Sequence, residues 1–293
     1  MSPNDLKYFV EKILGLNPRY TTITQEEIEE IVFPKKNMKI LGTYGKGEFG
    51  LVLKIQNITN PEQIFALRLS KFVKDVERSL YEYRIQKKFA TYQMAPDVFQ
   101  FDVLEFMWRN QPFSVVRAMM EPIQITLSQY ITNNKNIKQL YSPFECLLKK
   151  KFLLNYPNPY LHGDMHIDNI VILKDGKTLG FIDFGWTIKA PFELQVLDCI
   201  PVITSLKIIF PQTRNTLIKH LISFYDSFFN VKLNYDYFTN HPLGGYTYKF
   251  KKFYLHSYNW GVRKVGAITY YGLPSENYLK EAFPTLETPE ITE

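Results

Sequence analysis

The residue types able to do chemistry gather in one stretch. It runs His162-Gly163-Asp164-Met165-His166-Ile167-Asp168-Asn169, and Asp183-Phe184-Gly185 begins fourteen residues after Asn169. Two acids and an amide at this spacing, beside short apolar runs, meet the needs of metal-assisted phosphoryl transfer. One acid takes up or orients the proton of an attacking hydroxyl. The amide oxygen and the second acid hold divalent cations that neutralise nucleotide phosphates.

These groups need a support that brings them together. Ile170 to Leu173 and Leu179 to Ile182 flank the turn residues Lys174-Asp175-Gly176-Lys177, so they are expected to form a two-strand hairpin. Asn169 at its entrance and Asp183 at its exit would then be neighbours. Upstream, Met38 to Thr43, Leu51 to Ile58 and Gln63 to Leu69 have strand-like apolar patterning. Between the first two lies Gly45-Lys46-Gly47-Glu48-Phe49-Gly50-Leu51-Val52, whose glycines let backbone N–H groups approach a phosphate. Because it joins two strands and precedes no helix, it is neither a Rossmann nor a Walker element. Taken alone, such a triplet is also an ordinary hairpin turn.

A helix is expected over 75 to 90, with Val76, Leu80, Tyr83 and Phe89 as packing positions and Glu77 and Glu82 as its acids. Strands over Val98 to Phe106 and Ser114 to Met119 lead to a hinge at Met120-Glu121-Pro122. Beyond it the patterning turns helical, at Leu127 to Ile131, Tyr141 to Leu154, Glu193 to Ile209, Thr213 to Phe229, Tyr248 to His256 and Ser275 to Phe283. Residues 1 to 37 form a helical extension. Leu6, Phe9, Val10, Ile13 and Leu14 line a first helix ended by Gly15, and Thr24 with Glu27 makes a capping box for a second. The organisation expected is thus an extension over 1–37, a β-rich part over 38–121, a helical part over 122–283 and a fraying tail over 284–293.

Composition sets the outer limits. At 293 residues the chain suits one large domain or two lobes, and 45% apolar with 22% charged residues is ordinary for a globular protein. No apolar run reaches the roughly 18 residues of a membrane span, and the N-terminus lacks a secretory pattern. Cys146 and Cys199, the only cysteines, have no metal-ligand spacing; they are expected as free buried thiols in a reducing, cytoplasmic compartment. The net charge of +6 includes the clusters Lys149-Lys150-Lys151 and Lys249 to Lys252, read as solvated faces and not as a nucleic-acid site.

In order and spacing, the glycine-rich stretch, Ala66-Leu67-Arg68, the helix carrying Glu82, His162 to Asn169 and Asp183-Phe184-Gly185 resemble the protein-kinase-like superfamily over residues 38 to 200. The resemblance implies an α+β fold with a β-rich N-lobe, a helical C-lobe and ATP between them. It implies Asp164 as the hydroxyl-orienting aspartate, Asn169 and Asp183 as ligands of Mg²⁺ (or Mn²⁺ in its place), and His162 as a structural support. Gly45, Gly47, Phe49 and Gly50 would cover the phosphates, Val52 would pack on adenine, Ala66 would belong to the nucleotide site, and the Glu121 segment would offer adenine backbone groups. Glu82 is preferred to Glu77 as the paired glutamate, since Tyr81 to Gln86 is similar to the family's helix.

Two departures leave the acceptor open. Arg68 stands where the family has a phosphate-anchoring lysine, so Arg68, Lys71 or Lys54 is the anchor; Lys71 should face away from Arg68 across a regular strand. The catalytic loop reads His-Gly-Asp-Met-His, with His166 in place of the lysine that contacts the transferred phosphate, a form similar to aminoglycoside phosphotransferases, choline-kinase-like enzymes and some atypical protein kinases. Trp186 to Pro191 is also short for an activation segment. The resemblance therefore implies a divergent serine/threonine protein kinase, with a small-molecule hydroxyl kinase and a non-catalytic pseudokinase scaffold as alternatives. Asp198 reads equally as a helix-anchoring acid or a surface acid.

Overall fold

The structure is a computed structural model describing residues 1–47, 50–72, 76–133, 138–155, 159–185, 187–189, 198, 202, 206 and 215–229. Phe49, the helix expected over 193–209 apart from residues 198, 202 and 206, the helices expected over 248–256 and 275–283, Cys199, the Lys249 to Lys252 cluster and the tail lie outside these residues. The fold is α+β and divides into two compact units, Met1–Ile123 and Gln124–Glu293.

The N-terminal unit is built on strands β1 (Met38–Gly47), β2 (Gly50–Asn57), β3 (Ile64–Lys71), β4 (Val98–Trp108) and β5 (Gln111–Met120). They form one antiparallel sheet in the order β1-β2-β3-β5-β4. Alternation sets its faces. Leu51, Leu53, Ile55, Leu67 and Leu69 are buried on one side. The register Lys54↔Ala66, Val52↔Arg68 and Arg68↔Ala118 puts those residues on the other.

The N-terminal extension covers the apolar face. Helix α1 (Pro3–Tyr8) starts at a Ser2–Asp5 capping box with Pro3 in its first turn. A single α-helix was expected to run to Gly15; instead the chain widens into a π-helical turn over Phe9–Ile13, and Gly15 ends it at φ 71°. The wider turn places Phe9, Val10, Ile13 and Leu14 together in the core against Leu51, Leu53 and Leu69. Helix α2 (Gln25–Val32) has the expected Thr24–Glu27 capping box. Its Gln25 Nε2 donates to the Ile40 carbonyl at 3.0 Å, and its Glu29 accepts the Ile40 N–H at 2.7 Å. These bonds occupy backbone groups of β1, an edge strand that would otherwise offer them to another chain.

Helix α3 (Val76–Ala90) buries Tyr83 and Phe89, but Val76, expected to pack, is exposed. It lies in the first turn, ahead of the positions that meet the sheet. Tyr83 stacks on Phe101 of β4, with ring centroids 6.0 Å apart.

The C-terminal unit contains β6 (Ile125–Thr126), α4 (Leu127–Asn133), a 3-10 turn over Lys138–Leu140, α5 (Tyr141–Leu153), β7 (Tyr160–Leu161), β8 (Ile170–Ile172), β9 (Leu179–Phe181), β10 (Ile188–Lys189) and α6 (Asn215–Phe229). β8 and β9 form the expected hairpin and β6 joins it; β10 pairs with β7. Phe152 of α5 meets Tyr225 and Phe228 of α6, at centroid distances of 5.7 and 5.4 Å.

Two expectations fail on α5. Cys146 is a free thiol but exposed, not buried, since it lies off the stripe made by Phe144, Leu147, Leu148 and Phe152. Lys151, read as part of a solvated basic face, is fully buried because it falls on that stripe. No described helix is long and apolar enough to cross a membrane.

Candidate active site

In the C-terminal unit the site is a loop locked from below. The His162 ring is buried against Phe181 and Phe184, at centroid distances of 5.4 and 5.1 Å. Its Nδ1 accepts the Asp164 N–H at 3.3 Å, so the proton sits on Nε2, which donates to the Ile182 carbonyl at 3.1 Å. Burial pushes the imidazole down to about 4, offset in part by the Asp198 charge, so the ring is neutral near pH 7. His162 therefore acts as a brace between the loop and the strand leading to Asp183.

Asp198 accepts the His162 N–H at 2.9 Å and the Gly163 N–H at 3.1 Å. Lys151 Nζ lies 2.6 Å from the same carboxylate, and both side chains are completely buried. Asp198 is therefore an internal anchor of the loop and not a surface acid. Burial pulls the Lys151 pKa down, and the Asp198 charge opposes that shift. Gly163 takes φ 77°, a left-handed value that glycine adopts without strain. Thr187 closes the turn from the far side, its hydroxyl donating to the His162 carbonyl at 3.2 Å.

The amide of Asn169 donates to the Asp164 carbonyl at 2.9 Å and to Asp164 Oδ2 at 3.2 Å. With its N–H groups so engaged, the amide oxygen is the atom available to a cation. Ile182 N–H donates to the Asn169 carbonyl at 3.0 Å, which ties the hairpin's exit to its entrance next to Asp183. Asp183 itself takes φ 63°, a conformation that costs a non-glycine residue free energy and is found preferentially at functional sites. His166 Nδ1 accepts the Asp168 N–H at 3.2 Å, which leaves the proton on Nε2; that nitrogen lies 3.8 Å from Asp164 Oδ2, longer than a hydrogen bond. The side chain of Asp168 is half exposed.

A carboxylate and an amide oxygen are hard donors of the kind Mg²⁺ takes alongside substrate phosphates and water, so Asp183 and Asn169 fit that ion. Among the described residues, no group of three or more His, Cys, Asp or Glu gathers as a metal site.

In the N-terminal unit, Arg68 Nη1 lies 2.6 Å from Glu82 Oε1, with both side chains mostly buried. Glu77 instead pairs with Arg84 on the surface. Lys71 sits on the opposite face of β3, where its Nζ would be 3.3 Å from a Cβ built on Gly15. Lys54 shares the Arg68 face, two pairs along the β2–β3 ladder. A Cβ on Gly50 would lie 2.9 Å from the Leu69 carbonyl and 3.3 Å from Arg68 Nε, so only glycine allows this approach. Gly45 pairs with Val52 and Gly47 with Gly50, which brings Gly45, Gly47, Gly50, Val52, Ala66 and Arg68 to one side of the sheet. Glu121 N–H donates to the Asp97 carbonyl at 2.9 Å.

Among the described residues, Lys151 and Thr187 support the site and were missed by sequence reasoning; Thr187 gave no signal. The only signal for Lys151 was its place on the apolar stripe of α5, four residues from Leu147. No family model matches the sequence, and no curated protein matches it either.

Proposed function

We propose that the protein is an ATP- and Mg²⁺-dependent phosphotransferase that transfers the γ-phosphate to a hydroxyl, as a divergent serine/threonine protein kinase. The observation that carries this reading is the Asp164–Asn169 unit. One amide holds Asp164 through both its backbone and its carboxylate, and the hairpin behind it delivers Asp183 in a left-handed conformation. Such a layout serves phosphoryl transfer, in which positioning and electrostatic stabilisation supply nearly all the catalysis.

Mg²⁺ bound with the nucleotide would neutralise charge on the phosphates. Asp164 orients the acceptor hydroxyl and takes its proton. Asn169 and Asp183 present their oxygens to the ion, and His162 keeps the loop in register without exchanging a proton. His166, whose Nε2 lies 3.8 Å from Asp164 Oδ2, supplies a donor beside the transferred group. In the N-terminal unit the Arg68 guanidinium, oriented by Glu82, is the phosphate anchor, and the hairpin glycines leave backbone room for the phosphates.

The test is ATP turnover with Mg²⁺ in the wild type and in Asp183→Ala. Loss of a preorganised electrostatic group lowers such rates by about 100-fold or more. Equal rates in both proteins would refute the enzyme reading and favour a nucleotide-binding scaffold. An acceptor screen then separates substrates, and transfer to a sugar, choline or aminoglycoside without transfer to protein would replace the protein-kinase assignment.

A further inference from the structure

The N-terminal helix reaches the glycine-rich hairpin directly. The Tyr8 hydroxyl donates to the Gly47 carbonyl and lies 3.3 Å from the Gly50 carbonyl. These two glycines face each other as the last pair of the β1–β2 ladder. Three residues earlier in α1, Asp5 accepts from Thr43 Oγ1 at 3.1 Å and from Lys46 Nζ at 3.3 Å, both on β1. One helix thus holds both strands of the hairpin.

Side-chain packing does little to hold that end. A Cβ built on Gly45 or Gly47 would meet nothing within 4 Å, so these positions lie in open space on that side. The terminal Gly47↔Gly50 pair has no side chains to meet across the ladder and Gly45 offers none to Val52, so of the last three pairs only Lys46↔Leu51 supplies the cross-strand contact that stabilises sheets. The clamp, in contrast, is mounted rigidly. Phe9 and Val10, next to Tyr8, are buried in the core of the same unit. Burial raises the Tyr8 phenol above its ordinary pKa, so it remains a hydrogen-bond donor across the physiological range. Asp5 is held ionised: burial raises its pKa, but bonds from Ser2, Lys46 and Thr43 outweigh that and lower it.

We propose that Tyr8 and Asp5 are positioning residues for the glycine-rich hairpin, holding it in the form that receives the nucleotide phosphates. The proposal rests on the phosphotransferase reading. It assigns to the N-terminal extension a direct part in nucleotide affinity, beyond covering the sheet. Removing the Tyr8 hydroxyl frees the end of the ladder, and the nucleotide must then order the hairpin itself. That ordering cost appears in binding of ATP and not in the chemical step, which is governed by Asp164, Asn169 and Asp183 in the other unit.

The experiment compares full-length wild type, Tyr8→Phe and Asp5→Asn. Hydrogen exchange over residues 38–57 without nucleotide tests the clamp by itself. Exchange at the Gly47–Gly50 end should quicken in both variants, with the exchange of α2 unchanged. Titration with Mg·ATP and steady-state kinetics test its use. One lost hydrogen bond corresponds to about a fivefold rise in the dissociation constant and KM for ATP, with kcat held within about twofold. A purely stabilising contact would lower the melting temperature and leave KM unmoved, and that result would overturn the proposal, as would tighter ATP binding. Failure of the wild type to bind Mg·ATP would overturn the phosphotransferase reading and this inference with it. In that case quickened exchange would still mark a clamp with some other purpose.

Discussion

At the scale of single residues, the most consequential charge is one fully removed from solvent. Asp198 receives two backbone N–H groups from the loop and the ammonium of Lys151, all without solvent. Desolvating a pair of ions costs several kcal/mol each, which the close contact and extra hydrogen bonds offset. Removing one partner leaves the other charge buried and uncompensated. Lys151→Met should therefore cost about 3–5 kcal/mol of stability in urea unfolding. The change should exceed that of Lys149→Met, whose ammonium is half exposed beside Glu145. Similar costs for both would mean that Lys151 is not the internal anchor described. Arg68 is the other telling residue, because its fork meets Glu82 while Gly50 leaves room at its Nε.

At the scale of elements, the N-terminal extension is part of the sheet's core. Phe9, in the π-helical turn, is fully buried among residues of β2 and β3. Phe9→Ala removes a buried aromatic ring and leaves a cavity that packed strands fill poorly, at a cost of about 3–5 kcal/mol. Unfolding followed by the fluorescence of Trp108, which belongs to the same core cluster, would report it. A loss below about 1 kcal/mol would show the extension to be peripheral. The α2 contacts to Ile40 add a second function, since they occupy backbone groups of an edge strand.

At the scale of the whole molecule, the two units respond to acid in different windows. In the C-terminal unit, folded His162 accepts a proton only near about 4, whereas the unfolded ring does so at 6.5. The unfolded state binds more protons between these values, so stability falls as pH drops through them. The full loss is on the order of 3 kcal/mol. In the N-terminal unit the titrating groups are carboxylates. Burial raises the pKa of Asp102, but the Arg117 guanidinium outweighs it and holds it below the usual 3.8, and Asp5 is lowered as well. A depressed carboxyl contributes stability above its unfolded pKa and loses it as pH falls further, so this unit weakens only below about 4. Segment-resolved hydrogen exchange from pH 7 to 3, corrected for intrinsic rates, should show protection lost around residues 160–185 before residues 38–120. Simultaneous loss would rule out separate control.

Much of this is written locally. The Thr24–Glu27 capping box, the strand periods of β2 and β3 and the β8–β9 hairpin follow from neighbours a few residues apart, where backbone preference and turn chemistry act. The contact within the His162–Asn169 loop was legible for the same reason, because an acid and an amide five positions apart meet within one turn of chain. The burial of Lys151 and Asp198, the exposure of Cys146 and Val76, and the reach of Tyr8 to Gly47 were not legible. Each depends on a partner far along the chain, and local sequence does not say which charge will lose its water or which hydroxyl will find a carbonyl. Sequence alone determined the reactive groups and the elements that carry them. Tertiary structure decided which of those groups are desolvated, braced or clamped, because burial and its compensation are properties of contacts between distant segments.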